Sequence, residues 1–422
     1  MNGLAPYVDA EKSIQCIEKG VQMRVCQLSN NDELHRYKKA LVLQFAGPRH
    51  VLGTGPDNGG CQENLTAVFN VDINPGAGMG CVMRGDTYEE HMNIIAEEDL
   101  GLRSEKCTGL CTAASMDNVS IQTKIYEDFT VTAIVTAGIE HNGGRAGDPA
   151  LWHEHGNTFD PAGPGTINIL LHIDADLTPG AMARSLVTCT EAKAAAIQEL
   201  QAPSHSSNGI ATGSGTDGVI VISNSQSPTR LTNAGKNTKL GEYIGVTVKA
   251  AVKEALARQS GLTPACQHNV LCRLSRFGVT EDALWELCRD KSPETPARKT
   301  AGQADSDRAA SSEDSSRELF LTRAEFTRRM ELLSADSTLV TWASLYAHLL
   351  DETEWGLLSG KEACAAAKEL LELSGLQEQE SDMSNARGGA GKVSETAVDI
   401  LSRRYLAAFA RKIICTADEW TK

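Results

Sequence analysis

The chain has 422 residues, 41% of them hydrophobic and 23% charged, a balance ordinary for a globular protein with room for two or three domains. Its formal charge of −15 argues against a nucleic-acid or anionic-membrane surface. No apolar run reaches the roughly 18 residues of a membrane span. The opening Met1-Asn-Gly-Leu-Ala-Pro has no basic segment followed by an apolar one. The expected setting is therefore the cytoplasm, with neither nucleic acid nor membrane as a partner. The 12 cysteines are scattered, and neither Cys107-x-x-x-Cys111 nor Cys266-Gln-His268-x-x-x-Cys272 makes the paired pattern of a structural zinc site. They read as small core residues, and no metal is expected from them.

In chain order, short apolar runs at 40–45, 64–71, 119–126, 129–137, 166–173 and 219–222 read as strands. The runs 119–126 and 129–136 both alternate apolar and polar residues across Glu127-Asp128, which predicts an antiparallel hairpin. Helices are predicted at 89–102, 180–200 and 240–256, the last with Leu240, Ile244, Val248, Val252 and Leu256 in one stripe. Hairpins combined with such helices predict an α+β layered domain over residues 1–260. Its sheet is expected to be mixed, largely antiparallel and flanked by helices. Residues 261–290 read as a helical extension. The polar stretch 291–316 reads as a disordered linker. Helical patterns at 319–333, 339–351, 361–374 and 393–415 then make 317–422 a small α-helical C-terminal region, with a further breaker at 377–391.

Chemistry-bearing residues cluster beside glycines in the first part. Gly143-Gly-Arg-Ala-Gly-Asp-Pro149 places Arg145 and Asp148 in a loop whose glycines permit close backbone approach to a ligand. On the strand 166–173, Ile167, Ile169, Leu171 and Ile173 share one face, and Asn168, Leu170 and His172 the other. On the helix 180–200, Lys193 falls in the apolar stripe with Met182, Leu186, Cys189, Ile197 and Leu200, while Glu191 lies opposite with Arg184 and Thr188. Gly213-Ser-Gly-Thr-Asp-Gly218 fits GxGxxG by letter, but a strand follows it, so the dinucleotide-binding reading fails. What remains is a turn carrying Thr216 and Asp217 at the mouth of a strand. His153-Glu-His155 could bind a metal with His141 or Asp174, although no third ligand is defined by spacing.

Taken in order, these pieces resemble the adenosylcobinamide amidohydrolases of corrinoid salvage. The resemblance covers roughly residues 40–257. It is carried by Val51–Cys61 with Asn58-Gly59-Gly60, by Gly109-Leu-Cys-Thr-Ala-Ala114 and by Arg145-Ala-Gly-Asp-Pro149. Gly165-Thr-Ile-Asn-Ile169, Thr190-Glu-Ala-Lys193, Thr212-Gly-Ser-Gly-Thr-Asp217 and Thr238-Lys-Leu-Gly-Glu242 complete it. One departure is Asn237, where the resemblance leads us to expect a histidine. The resemblance implies hydrolysis of the amide joining aminopropanol to a propionyl side chain of the corrin ring, with adenosylcobinamide as substrate and no separate cofactor.

Amide hydrolysis needs an activated nucleophile, donors for the oxyanion and a proton for the leaving amine. The candidate catalytic set is Asp148, Glu191, Lys193, Asp217 and Arg145, with Asp148 or Glu191 as base. Candidate substrate contacts are Asn58, Gly59, Gly60, His141, Asn168, Thr216, Lys239 and Glu242. Two alternatives stay open: a corrinoid-binding protein without catalysis, and a metal-assisted hydrolase using His141, His153 and His155. A homo-oligomer is also left open.

Overall fold

The computed structural model describes residues 22–74, 82–150, 165–290, 321–377 and 396–415. His153, His155, the stretch 291–316 and nearly all of 377–391 lie outside the described residues. The chain divides into two compact units, Met1–Pro264 and Ala265–Lys422.

The first unit opens with strands β1 (Met23–Gln27), β2 (Glu33–Arg36), β3 (Ala40–Gln44), β4 (Arg49–Gly53), β5 (Gly60–Gln62) and β6 (Ala67–Asp72). Helix α1 (Tyr88–Ile94) follows, capped by the Thr87 side chain, and runs into a π-turn at Ile95–Asp99. Next come β7 (Cys107–Thr112), β8 (Ser120–Tyr126), β9 (Phe129–Gly138), β10 (Gly143–Gly144), β11 (Thr166–Ile173) and β12 (Asp176–Leu177). Helix α2 (Pro179–Leu200), β13 (Gly213–Ser214), β14 (Gly218–Asn224), β15 (Arg230–Leu231) and helix α3 (Lys239–Ser260) complete the unit.

The α+β class holds, and the strands form two main sheets rather than one. Sheet I has the order β1-β2-β3-β6-β7, antiparallel except for β6–β7. Sheet II has the order β5-β4-β14-β11-β9-β8, antiparallel except for β11–β14, whose crossover is α2. Alternate residues of β3 explain the stacking. Leu41 and Leu43 join Val68, Leu110, Ile134, Leu170, Ile220 and Ile222 in a core between the sheets. Ala40 and Val42 face the other way, with Phe69, Met92, Ile95 and Leu100 under α1. The outer face of sheet II, through Val131, Val135, Ile167, Ile169 and Val221, packs on α2 and α3. The result is four layers: helix, sheet, sheet, helices.

This stacking changes the meaning of the alternation in β9. Its threonines would be expected at solvent, yet every residue of β9 is buried. Thr136 faces sheet I, where its hydroxyl accepts from Asn70 Nδ2 at 2.8 Å. β7 was not legible as a strand because Gly109 interrupts it. The Phe69 ring lies against Gly109 so closely that any Cβ there would overlap it, so this strand needs glycine for packing.

In the second unit, α4 (Val270–Leu274) and α5 (Glu281–Asp290) pack into the same core as α6 (Arg323–Ser334), α7 (Ser337–Glu354), α8 (Gly360–Leu373) and α9 (Ala397–Cys415). Val270, Leu274 and Leu284 meet Phe326, Tyr346, Leu371 and Phe409 there. Tyr346 donates its hydroxyl to the Leu401 carbonyl at 2.9 Å, and Arg276 grips Asp351 through two 2.6 Å hydrogen bonds. No described helix is long and apolar enough to cross a membrane.

Candidate active site

The strand registers define the two ends of sheet II. At the Gly138 end, β9 terminates while β11 and β14 begin, since Gly138 pairs with Thr166 and Asn168 with Gly218. The opposite end holds Phe129, Ile173 and Asn224. At about 3.3 Å per residue the two ends stand roughly 23 Å apart.

The segments 139–148, 201–212 and 213–217 meet at the Gly138 end. The segment after β9 returns as β10, which pairs with β13 through Gly143–Ser214 and Gly144–Gly213. The Gly143 carbonyl accepts from His205 N at 2.8 Å, and the Gly144 carbonyl from Thr212 N at 2.9 Å. Ala146 N donates to Thr212 Oγ1 at 3.0 Å. These bonds bring the Arg145–Asp148 loop beside the 213–217 turn.

Asp217 is the polar hub of that turn. Its Oδ1 accepts from Ile167 N at 3.0 Å and from Ser214 Oγ at 2.6 Å. Ser214 N reaches both oxygens, at 3.0 and 3.1 Å. Lys193 Nζ donates to Asp217 Oδ2, and each of the two side chains is only 10% exposed. A carboxylate offers about four acceptor positions, so Asp217 is occupied as it stands. Lys193 is carried there by α2, whose Cys189, Ala192, Ala196 and Ile197 bury that helix face. The lysine that interrupts the apolar stripe reaches through to the loop end instead of to solvent. Burial beside it pushes the Cys189 thiol up to about 12, which makes that sulfur an inert core group.

Asp148 lies in the neighbouring loop. It accepts from Ser204 Oγ at 2.6 Å and from Arg145 N at 3.2 Å. Burial pushes its carboxyl up, but hydrogen bonds from Ser204, Ser207 and the Arg145 N–H, with the Arg145 charge, outweigh this and hold it below the usual carboxylate range. The Arg145 side chain lies over Gly209, where an added Cβ would stand 2.7 Å from Arg145 Cδ. Thr216 is exposed at the same mouth, with its Oγ1 2.7 Å from Thr166 Oγ1 and 3.0 Å from the Gly165 carbonyl. His141 is exposed on the loop after β9.

The Asn58–Gly60 turn also stands at the Gly138 end of sheet II, since Gly53 pairs with Ile220 and Thr54 N donates to the Val219 carbonyl at 3.0 Å, and the remaining candidates lie elsewhere. Asn168 is 1% exposed, sealed between the sheets, where its Nδ2 donates to Asn70 Oδ1 and the Cys111 carbonyl at 2.8 Å each. Asn58 donates from Nδ2 to the Ser104 and Cys107 carbonyls at 2.9 Å, clamping the start of β7. Gly59 and Gly60 continue the same turn into β5. Glu191 faces the loop that leads into α3, pairing with Lys236 at 3.5 Å. Lys239 and Glu242 pair with each other at 2.8 Å in the first turn of α3. That turn is at the far end, because Gln259 in the last turn of α3 is the residue that reaches Gly138 and Ser115. Twenty residues of helix put about 30 Å between the two. A cleft lined by Arg184, Asn233, Gly235, Lys236, Asn237 and Thr238 sits at the loop leading into α3, and none of these residues hydrogen-bonds to Asp217 among the described residues.

The structure thus gathers Arg145, Asp148, Lys193, Thr216 and Asp217 and separates Glu191, Lys239 and Glu242 from them. Ser214, Ser204 and Thr166 belong to the gathered group but were not singled out from sequence. Ser214 had a readable signal, a serine three residues before an aspartate in a glycine turn. No three His, Cys, Asp or Glu side chains among the described residues converge as metal ligands.

The architecture is therefore a four-layer α+β domain whose loops present a nearly buried ammonium–carboxylate pair at one end of a sheet. Residues 26–264 match the adenosylcobinamide amidohydrolase family, and the chain belongs to that hydrolase family. The chain is also 34% identical over 232 residues to an uncharacterized protein of Methanocaldococcus jannaschii, a match covering 52% of this chain and 87% of that one. Among solved structures, the PH0078 protein of Pyrococcus horikoshii overlays at a TM-score of 0.27 and 14% identity, over 55% of this chain and 80% of that one.

Proposed function

We propose that this protein hydrolyses the amide between aminopropanol and a propionyl side chain of the corrin ring in adenosylcobinamide, releasing adenosylcobyric acid and aminopropanol. The observation that carries this reading is the family match across residues 26–264, which spans every element of the site. The corrinoid enters as substrate, and the reading requires no other cofactor.

In this reading the reacting carbonyl meets the loops at the Gly138 end. Lys193 is already charge-paired through one N–H, and its remaining N–H groups serve the developing oxyanion. Asp148, ionised at neutral pH, takes a proton from the attacking water. The C–N bond breaks as the amine nitrogen gains a proton, so one water is consumed and a carboxylate and an ammonium leave. Arg145 and Thr216 contact the substrate at the mouth.

The test is incubation of the purified protein with adenosylcobinamide, followed by chromatography and mass measurement of the products. Adenosylcobyric acid and aminopropanol in equal amounts are expected. Intact adenosylcobinamide after prolonged incubation with excess protein would remove the reading.

A further inference from the structure

We propose that Ser214 is a positioning residue for this site: its hydroxyl fixes the Asp217 carboxylate, and Asp217 in turn fixes the Lys193 ammonium. The consequence for turnover rests on the hydrolytic reading above; the consequence for lysine reactivity does not.

A lysine side chain carries an ammonium on a flexible four-carbon stem, and holding it in one place costs rotamer entropy. Lys193 is held at Asp217, so the ammonium is only as well placed as that carboxylate. Apart from Lys193, Ser214 Oγ is the one side-chain donor to Asp217 among the described residues. Its 2.6 Å bond is also the shortest that the 213–218 turn itself supplies to the carboxylate. The same oxygen accepts the Thr216 N–H at 3.3 Å, so a single hydroxyl ties Asp217 to the segment that presents Thr216. Thr216 Oγ1 continues the chain to Thr166 at the start of β11. The two main-chain donors, Ile167 N and Ser214 N, also bond the carboxylate. The hydroxyl stops it from turning away with the lysine. Alanine at 214 removes that restraint and leaves both main-chain bonds available.

The full-length protein is compared as parent, Ser214→Ala and Ser214→Thr. The first readout is the acetylation rate of individual lysines under limiting acetic anhydride, resolved by peptide mass spectrometry. Lys249 and Lys253, which pair with Glu199, serve as internal controls. Acetylation of Lys193 should rise about threefold or more in Ser214→Ala with the controls unchanged, and return to the parent rate in Ser214→Thr. Loss of a hydrogen bond to a charged group should lower kcat on adenosylcobinamide about tenfold or more. KM should stay within about twofold, as for a group acting only on the transition state. Threonine should restore kcat.

Parent-like Lys193 acetylation in Ser214→Ala overturns the proposal. So does an unchanged kcat in a preparation whose parent protein turns over. A parent protein that leaves adenosylcobinamide intact removes the hydrolytic reading, while the acetylation rates still decide the role of Ser214. If the control lysines also react faster in Ser214→Ala, the fold has loosened. Ser214→Cys, similar in size but a weak donor, then carries the comparison, and parent-like Lys193 reactivity in it overturns the proposal.

Discussion

Gly213 lies so close to Asp217 that a Cβ on the glycine would overlap the carboxylate, and the same Cβ would stand 2.6 Å from Lys193 Nζ. The glycine is therefore a condition for the ion pair, quite apart from its place in a turn. Gly213→Ala is expected to push the carboxylate and ammonium out of register. Overpacking of this kind typically costs about 1–3 kcal/mol, so a modest fall in the unfolding midpoint should accompany a loss of turnover of at least about 10²-fold. A fully active Gly213→Ala protein would show that the pair is not where the reaction takes place.

Lys193→Met tests the pair directly. Removing one member of a nearly buried ion pair leaves its partner without compensation. The single substitution should therefore destabilise more than the double Lys193→Met, Asp217→Asn substitution, as read from denaturant midpoints. Turnover should fall by about 10²–10³, the usual effect of losing an oxyanion donor. Glu191→Gln, on the face of α2 that looks toward Lys236, is expected to stay within about threefold of the parent, far below the range for a catalytic base. A large loss in Glu191→Gln would move the reacting centre to the start of α3.

Asp148 predicts a pH dependence with a definite sign. Its carboxyl is held below the usual range by Ser204, Ser207 and Arg145 against the opposing effect of burial. The folded protein thus binds this proton less readily than the unfolded chain does. The stabilisation is complete above the unfolded value of about 3.9 and is lost as pH falls through the lower folded value. The melting-temperature gap between parent and Asp148→Asn should be steady from neutral pH down to about pH 5 and should close in more acidic buffer. A gap that persists at pH 2 would mean that the substitution acts through packing.

The far end of the sheets contains a second buried ionic group, and its predicted effect is on stability. Arg49 donates to Asp32 from Nε at 2.9 Å and from Nη2 at 2.6 Å, and His172 Nε2 lies 3.1 Å from the same carboxylate. Asp32 precedes β2, while Arg49 and His172 belong to β4 and β11, so the group ties sheet I to sheet II. Burial pushes the Asp32 carboxyl up, and His172, Arg49 and the Ala46 N–H together overcome that and lower it. Arg49→Met should cost about 3–5 kcal/mol, as when one partner of a buried pair is removed. A loss below about 1 kcal/mol by urea denaturation would show that the chain can rearrange around an unpaired Asp32.

A fragment ending at Pro264 should fold and keep the activity of the full chain. The first unit has its own cores, and the gathered site residues all precede Gly218. Circular dichroism and turnover per folded molecule check this. A soluble, folded but inactive fragment would assign the second unit a direct part in the reaction.

Periodicity was enough to reveal the hairpin β8–β9, the strand β11 and the inward stripes of α2 and α3, because spacings of two and four residues act within one element. The family motifs were also legible, because glycines beside ionisable residues keep their order along the chain. Periodicity could not show what covers each face. Asn168 and His172 share a strand face, and sheet I seals it. Nor could the sequence place Glu191 and Lys193, two residues apart in one motif. Two positions turn a helix through about 200°. The lysine therefore meets Asp217 at the loop end of sheet II, and the glutamate meets Lys236 near the start of α3. Local spacing determined that these two side chains point apart. Only the packing of α2 between a sheet and a distant loop decided which of them meets the turn at Asp217.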